Sequence, residues 1–376
     1  MNLFLSDYYT EPRIAKIIKG DYLAYKADIV NEQEMLVIEK SRTFFTTDGY
    51  EISEENYACL SKLDDGDIIF VDDRGMLHRL FSAKEHDATI YITGHCNSNC
   101  LMCPSSDSER KNSSGLSDEW LADYIDMLPV NVSHFVVTGG EPTLRMRAFF
   151  YVMRRVADKF PKAEILLLTN GRSFAAKKLV TRLLEYCPPY LYVAIPIHGH
   201  EAWLHDKITQ VDGSFRQTCV GISQLLAQKI SIEIRIVVTK FNYVYLEAMA
   251  RFICERYPSV FVVNFVGLET RGNCARNFEQ VYIGHREAFQ YLKLAIKLLL
   301  NAGIDTAIYN FPLCAVERGY WEICRKSITP EKIRFAEACA YCAAKSYCGG
   351  FFHTTLSMVK PIVDPVKKWE GEDFVV

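Results

Sequence analysis

Three cysteines fall within one short stretch, His95-Cys96-Asn97-Ser98-Asn99-Cys100-Leu101-Met102-Cys103-Pro104, separated by three and then two residues. A loop of that size can wrap one face of an iron–sulfur cubane. Four thiolates would saturate a [4Fe–4S] cluster, whereas three leave one iron open for the amino and carboxylate groups of a substrate. With 13 cysteines in 376 residues, this spacing arises somewhere by accident with a probability of about 0.015. The competing chemistry is zinc, for which His95 could supply a further ligand.

A second set lies near the C-terminus. Cys339-Ala340-Tyr341-Cys342 and Cys348 are spaced by two and five residues, and Cys314 is the expected fourth member, with Cys324 competing for that place. Four thiolates close a cluster completely, which suits electron transfer or structure; a zinc knuckle with four cysteine ligands is the alternative. Cys59, Cys187, Cys219 and Cys254 have no close cysteine neighbour and read as inert core thiols. No secretion signal is legible, so the thiols are expected in a reducing, cytosolic setting.

A third feature is Thr138-Gly139-Gly140-Glu141-Pro142-Thr143. Paired glycines let the backbone approach a ligand closely, and an acidic side chain beside exposed carbonyls can accept hydrogen bonds from an ammonium group.

These residues need elements to position them. From residue 88, short β-rich runs alternate with stretches of helical period. The pattern predicts six strands, Ala88–Thr93, His134–Thr138, Glu164–Thr169, Tyr190–Ile195, Ser231–Thr239 and Ser259–Val266. Helices are expected at Trp120–Leu128, Arg147–Phe160, Ala175–Tyr186, Phe215–Gln228, Leu246–Tyr257 and near Glu287–Asn301. Regular alternation makes a parallel sheet with helices outside, an open α/β barrel of six units whose chemistry sits in loops after strand C-termini. The cysteine triad follows strand one, and the paired glycines follow strand two. Before the barrel, Leu23–Val30, Met35–Glu39 and a hairpin over Asp67–Phe81 with an Asp72-Asp73-Arg74-Gly75 turn read as short antiparallel strands. The expected division is a β-rich N-terminal domain over 1–85, the barrel over 86–305, and an irregular cysteine-rich extension over 306–376.

Composition narrows the function classes. Hydrophobic residues make up 49% and charged residues 24% of the chain, the make-up of a globular protein with a large core. Net charge is -3, without a long basic run, which argues against a nucleic-acid partner. The apolar segment around Leu292–Leu300 is broken by Lys293 and Lys297, and no membrane span is expected.

The cysteine loop followed one β/α unit later by Gly-Gly-Glu-Pro resembles the radical SAM superfamily over about residues 88 to 305. The resemblance implies a [4Fe–4S] cluster on Cys96, Cys100 and Cys103. It also implies S-adenosylmethionine held through its methionine amino group by Gly139, Gly140, Glu141 and Pro142, and reductive cleavage to a 5′-deoxyadenosyl radical. By the same likeness Met102 packs near the adenine, Asn170-Gly171 matches a frequent Thr-Asn-Gly element, and Arg235, Gly267 and Leu268 are further co-substrate contacts. For Arg235 and Gly267 the competing readings are a buried Arg–Glu233 pair and a simple turn. At strand four, Pro196-Ile197-His198-Gly199 stands where many peptide-modifying relatives carry Ser-Leu-Asp-Gly, and proline lacks a donor.

The C-terminal spacing is similar to the SPASM/twitch auxiliary-cluster extensions, which implies a second, auxiliary [4Fe–4S] cluster on Cys314, Cys339, Cys342 and Cys348. Several stretches together resemble the C-type (HxsC) member of the His-Xaa-Ser system radical SAM maturases. They are Cys100–Cys103, Thr138–Leu144, Ile195–Ile197, His205–Gln210, Gly267–Thr270, Ile308–Cys314 and Cys348–Phe352. That likeness implies a bacterial cytoplasmic enzyme that modifies a ribosomally made peptide with His-Xaa-Ser repeats, beside a partner radical SAM maturase and an external low-potential reductant. A small-metabolite substrate, or a non-catalytic scaffold for the partner, are the other readings; retention of Gly-Gly-Glu-Pro speaks against the scaffold.

Overall fold

The computed structural model describes residues 2–4, 12–20, 34–39, 43–46, 49, 51–53, 56, 60–112, 115–186 and 190–367. The strand expected at Leu23–Val30, Cys59 and Cys187 lie outside them. Seven strands open the chain: β1 (Asn2–Phe4), β2 (Arg13–Lys19), β3 (Met35–Ile38), β4 (Thr43–Phe45), β5 (Glu51–Ile52), β6 (Ile68–Val71) and β7 (Met76–Phe81). From β8 (Asp87–Tyr91), strands and helices alternate. The order is α1 (Asp107–Asn112), α2 (Asp118–Met127), β9 (His134–Thr138), α3 (Met146–Lys159), β10 (Glu164–Leu168), α4 (Lys177–Glu185) and β11 (Leu191–Pro196). It continues with α5 (Ala202–Thr209), α6 (Ser214–Ala227), β12 (Ser231–Val237), α7 (Leu246–Arg256), β13 (Val262–Val266), α8 (Gly272–Arg276) and α9 (Phe278–Val281). Then come α10 (His285–Asn301), β14 (Asp305–Tyr309), β15 (Cys324–Arg325), β16 (Ile333–Arg334), β17 (Phe351–Phe352) and α11 (His353–Met358).

The chain divides into two compact units. The first is Met1–Thr93, Ser114–Leu167 and Glu185–Leu191, and the second is Gly94–Ser113, Leu168–Leu184 and Tyr192–Val376. In the first unit the N-terminal strands form a sheet in the order β1-β7-β6-β2-β3-β4-β5. The expected hairpin is present: Asp72 Oδ1 accepts from the Arg74 and Met76 amides at 3.0 and 2.8 Å, and Gly75 supplies a φ of 75° at no steric cost. One expectation is corrected. The β2–β3 pair is parallel while its neighbours are antiparallel, because the connection between these two strands is long enough for a crossover return. Ala15, Ile17, Leu36, Phe45 and Leu77 form the buried core of this sheet. In the same unit, α3 buries Phe149, Val152, Met153 and Val156, the three-and-four spacing of an amphipathic helix.

In the first unit β8, β9 and β10 pair in parallel in that order, and in the second β11 through β15 pair in parallel in chain order. In the second unit Ile232, Ile234 and Ile236 of β12 are fully buried, the period of two that puts one face of a strand against covering helices. Facing helix α10 buries Phe289, Leu292, Ile296 and Leu299. Beyond the expected strands the second unit carries two more, β14 and β15, where irregular chain was expected; β15, with two residues, is too short to show a period. Among the described residues no helix is long and apolar enough to cross a membrane.

Candidate functional site

The cysteine loop belongs to the second unit, where four separate elements fix its backbone. At the end of α5, the Thr209 and Ile208 carbonyls accept from the Asn99 and Leu101 amides, both at 3.0 Å. From α8, the Asn273 side-chain amide donates to Asn99 Oδ1 at 3.0 Å and to the Cys100 carbonyl at 3.2 Å, while the Cys274 amide donates to the Cys103 carbonyl at 3.1 Å. Asn277 donates to the Leu101 carbonyl at 3.0 Å. Arg110 of α1 donates to Asn99, to Asp107 and to the Ser105 carbonyl. Arg172 reaches the Asn97 carbonyl at 2.6 Å and Ser98 Oγ at 3.1 Å.

Gly272 explains why α8 can approach so closely. Its φ is 58°, and a Cβ there would lie 2.4 Å from the Pro104 carbonyl oxygen, a position open only to glycine. Sequence reasoning missed this clamp and with it Cys274, which is fully buried. The available signal was the run Arg271-Gly272-Asn273-Cys274-Ala275-Arg276-Asn277, dense in side chains that can donate to carbonyls.

Cys96, Cys100 and Cys103 are half-buried. Burial pushes the Cys100 thiol up to about 12, and the nearby Cys103 and Cys96 add to the rise. A thiol that resists deprotonation is inert unless a cation shares the site, since a bound metal takes the thiolate form. The Cys96 sulfur also accepts the Ser98 amide at 3.4 Å, a contact that stabilises thiolate charge. The donor set thus fits an iron–sulfur cluster. Among the described residues no group of three or more His, Cys, Asp or Glu is arranged to hold one metal ion; a cubane takes one thiolate per iron and does not need sulfurs converging on one point.

Asn170, after β10, comes to this loop: it donates to Asn97 Oδ1 at 2.7 Å, and its own Oδ1 accepts the Arg172 amide at 3.0 Å. Met102 and Leu268 come together in one apolar cluster with Leu204, Ile208 and Cys274. The Gly267 amide donates to the Tyr309 carbonyl at 2.9 Å, and a Cβ on Gly267 would lie 2.5 Å from the Asn310 carbonyl oxygen, so the turn there requires a residue without a side chain. Arg235 is engaged by Glu233 of the same strand. After β11, His198 is buried: its amide donates to His205 Nδ1 at 3.2 Å and its carbonyl accepts from Asn242 at 3.2 Å. Desolvation holds His198 well below its ordinary value and His205 down at about 4, so both rings are neutral at pH 7.

The paired glycines belong to the first unit. The Gly140 amide donates to the Thr93 carbonyl at 2.7 Å, and a Cβ on Gly139 would lie 2.3 Å from that same oxygen. Glu141 is fully buried. Its Oε1 accepts from the Thr143 hydroxyl at 2.6 Å and the Thr143 amide at 3.2 Å, so it caps the short turn over Pro142–Leu144. Arg145 pins that turn by donating to the Ile92 and Leu116 carbonyls and to Asp118.

In the second unit the C-terminal cysteines line one cavity. Cys314, Cys339, Cys342 and Cys348 surround one small cavity together with Pro312 and Phe351. Cys324 is not among the lining residues; its thiol donates to the Tyr320 carbonyl at 3.5 Å. Backbone amides point at two of the four sulfurs: Leu313 and Gly350 at Cys348, and Val366 at Cys342, each at 3.4 Å. Burial pushes the Cys314 thiol up to about 11, with Cys348 and Cys339 adding to the rise. An apolar cavity with four thiols and N–H···S contacts fits a fully ligated cluster.

Residues 90–253 match the family model of the Radical SAM superfamily. That segment, under half of the chain, is similar to the radical SAM superfamily. One relative, the "Antilisterial bacteriocin subtilosin biosynthesis protein AlbA" of Bacillus subtilis (strain 168), is 24% identical over 328 residues, covering 84% of this chain and 70% of the relative. Similar solved structures include Streptococcus suis SuiB bound to its precursor peptide SuiA, at 13% identity with a TM-score of 0.47 over 59% of this chain and 48% of that one. Another is native anSMEcpe with bound AdoMet, at 19% identity with a TM-score of 0.48 over 58% and 63%. The chain thus spans about half the length of SuiB. The matched radical SAM segment contains the cysteine loop and the paired glycines; α8 and the four-cysteine cavity lie beyond it.

Proposed function

We propose that this radical SAM enzyme matures a ribosomally made peptide of the His-Xaa-Ser-repeat type, working beside a partner radical SAM maturase and fed by an external low-potential reductant. Cys96, Cys100 and Cys103 would hold the S-adenosylmethionine cluster. Gly139, Gly140, Glu141 and Pro142 would hold the methionine amino group, with Asn170, Arg235, Gly267, Leu268 and Met102 around the rest of the co-substrate. Cys314, Cys339, Cys342 and Cys348 would hold an auxiliary cluster. The proposed domain boundaries fall at 85/86 and 305/306.

When bound, the cluster and S-adenosylmethionine supply a 5′-deoxyadenosyl radical able to remove a hydrogen atom from an unactivated carbon. This chain's own residues position and shield. Asn273, Asn277, Arg110 and Arg172 fix the cysteine loop by donating to its carbonyls. Met102, Leu204, Ile208 and Leu268 exclude water behind it. Neutral His198 and His205 keep positive charge away from the end of β11.

The observation that carries a peptide substrate, rather than a metabolite, is the four-cysteine cavity, the feature of auxiliary-cluster maturases; the bacteriocin-biosynthesis relative supports the same class. The test is anaerobic co-incubation of the protein, S-adenosylmethionine, a reductant, the partner maturase and a His-Xaa-Ser-repeat peptide. A mass change in the repeat region that disappears in Cys103→Ala is expected. Release of 5′-deoxyadenosine with the peptide returned unmodified would end the peptide reading and leave the radical SAM chemistry standing.

A further inference from the structure

Beside the four-cysteine cavity opens a depression of about 530 Å³ lined by Lys326, Ile333, Phe335, Cys342, Lys345 and Cys348. Phe335, Cys342, Lys345 and Cys348 line both spaces, so the depression leads to the thiols. The surrounding segment is basic in a chain of net charge -3. Between Cys324 and Cys348 stand Arg325, Lys326, Lys332, Arg334 and Lys345 against Glu331 and Glu337. Lys332 pairs with Glu269 at 3.1 Å. Among the described residues the other four cations have no carboxylate partner. Lys326 donates to the Ser346 carbonyl at 2.7 Å, Arg325 and Arg334 donate to nearby backbone carbonyls, and Lys345 lies 5.3 Å from the centre of the Phe335 ring. Tyr341, between Cys339 and Cys342, is 85% exposed.

We propose that this depression is the docking face for a small acidic electron-carrier protein, which exchanges single electrons with a cluster in the four-cysteine cavity. The proposal rests on the reading that the cavity holds a cluster. One electron leaves the reduced carrier and enters the cluster, so the carrier is oxidised by one equivalent and the cluster reduced by one; no bond forms and no proton moves. Local charge opposite to the net charge of the molecule steers an acidic partner to one place on the surface. An aromatic centre with a cationic rim has the composition of a small, transient interface, the kind that electron-transfer encounters use. A neutral small-molecule reductant gains nothing from such a rim.

The test measures binding of an acidic flavodoxin to the anaerobic holoenzyme at low ionic strength, together with 5′-deoxyadenosine formation driven by that flavodoxin or by dithionite. In Lys326→Glu/Lys345→Glu the flavodoxin affinity is expected to fall about tenfold, and the loss should vanish at high salt. The dithionite-driven rate of the single variant Lys326→Glu, whose side chain does not line the four-cysteine cavity, should stay at the parental value. Lys326→Gln/Lys345→Gln, which removes charge without adding repulsion, should lose about threefold. Parental affinity in both pairs overturns the proposal. So does an equal loss in Lys177→Glu/Lys178→Glu, an exposed pair on α4, because the attraction would then be global. Iron analysis of the parent separates the two readings: about four irons instead of about eight removes the auxiliary cluster, while the binding measurement still decides the docking face.

Discussion

The two cysteine sites of the second unit solve opposite problems. The loop of Cys96, Cys100 and Cys103 is held by donors from α1, α8 and the turn after β10, which act on backbone carbonyls or neighbouring side chains, and by carbonyls of α5, which accept from loop amides. Its geometry is imposed from outside, and with a cluster bound, as proposed, three ligands would leave one iron position for a co-substrate. The set of Cys314, Cys339, Cys342 and Cys348 instead lines an apolar space, and its hydrogen bonds go to the sulfurs themselves. On the proposed reading, the site that would admit a second molecule is braced from behind, and the site that would only pass electrons is wrapped.

That contrast breaks outright if both sites serve the same step. Replacing Cys96, Cys100 and Cys103 together by Ala is expected to abolish 5′-deoxyadenosine release in the presence of reductant and S-adenosylmethionine, measured by chromatography. Replacing Cys339 and Cys342 should instead lower iron from about eight to about four per chain and leave a first turnover of 5′-deoxyadenosine intact. Equal loss of cleavage in both variants would erase the distinction. Stoichiometric zinc at the second site would replace its electron role by a structural one.

The bracing itself is tested by Gly272→Ala, which forces a Cβ against the Pro104 carbonyl and a side chain into a left-handed backbone. A loss of about 1–3 kcal/mol of stability is expected in thermal or denaturant unfolding, together with poorer iron loading of the first site alone. Equal iron loss at both sites would show that α8 does not brace the loop selectively. Glu141→Ala should weaken S-adenosylmethionine binding by about 1–3 kcal/mol with iron retained. Because Glu141 also caps its turn through Thr143, a stability loss of about 0.5–2 kcal/mol should accompany it. Unchanged co-substrate affinity would reduce this residue to the cap.

The smallest effect concerns pH. Burial depresses His198 and His205 near the first site, and His285, which packs on Phe311 and Phe351, near the second. A depressed folded value means the unfolded chain binds more protons below about pH 6.5, so stability is full above that pH and falls as pH drops toward about 4. Each imidazole contributes at most about 1.4 kcal/mol per pH unit across that window. His285→Gln should flatten the profile without altering 5′-deoxyadenosine release; a flat profile in the parent would remove this account.

Much of this was legible in residue patterns. His134–Thr138 is the observed strand β9, and the expected helices lie within a few residues of α2, α3, α4, α6, α7 and α10, because long amphipathic runs and buried strands carry strong periods. Spacing also singled out both cysteine sets. Cys314 and Cys324 could not be separated by spacing, since the choice depends on how a 3-10 turn at Leu313–Ala315 aims one thiol into the cavity. β15 was too short to read, and β14, as long as β9, was missed. The clamp of Asn273, Asn277 and Arg110 was invisible because hydrogen bonds between distant segments leave no local periodicity. Glu141 was read for its charge, and its capping bond follows from a turn that only the folded chain defines.

The separation between α8 and the loop it clamps has a consequence for how the protein is made. Asn273 and the Cys100 carbonyl are 173 residues apart in the chain, and ribosomes add about 5–20 residues per second. For roughly 9–35 seconds of each synthesis the three thiols are already translated while their clamp does not yet exist. A cluster inserted before α8 emerges would lack this clamp, and a chain stalled before residue 272 is expected to present the motif without retaining the cluster.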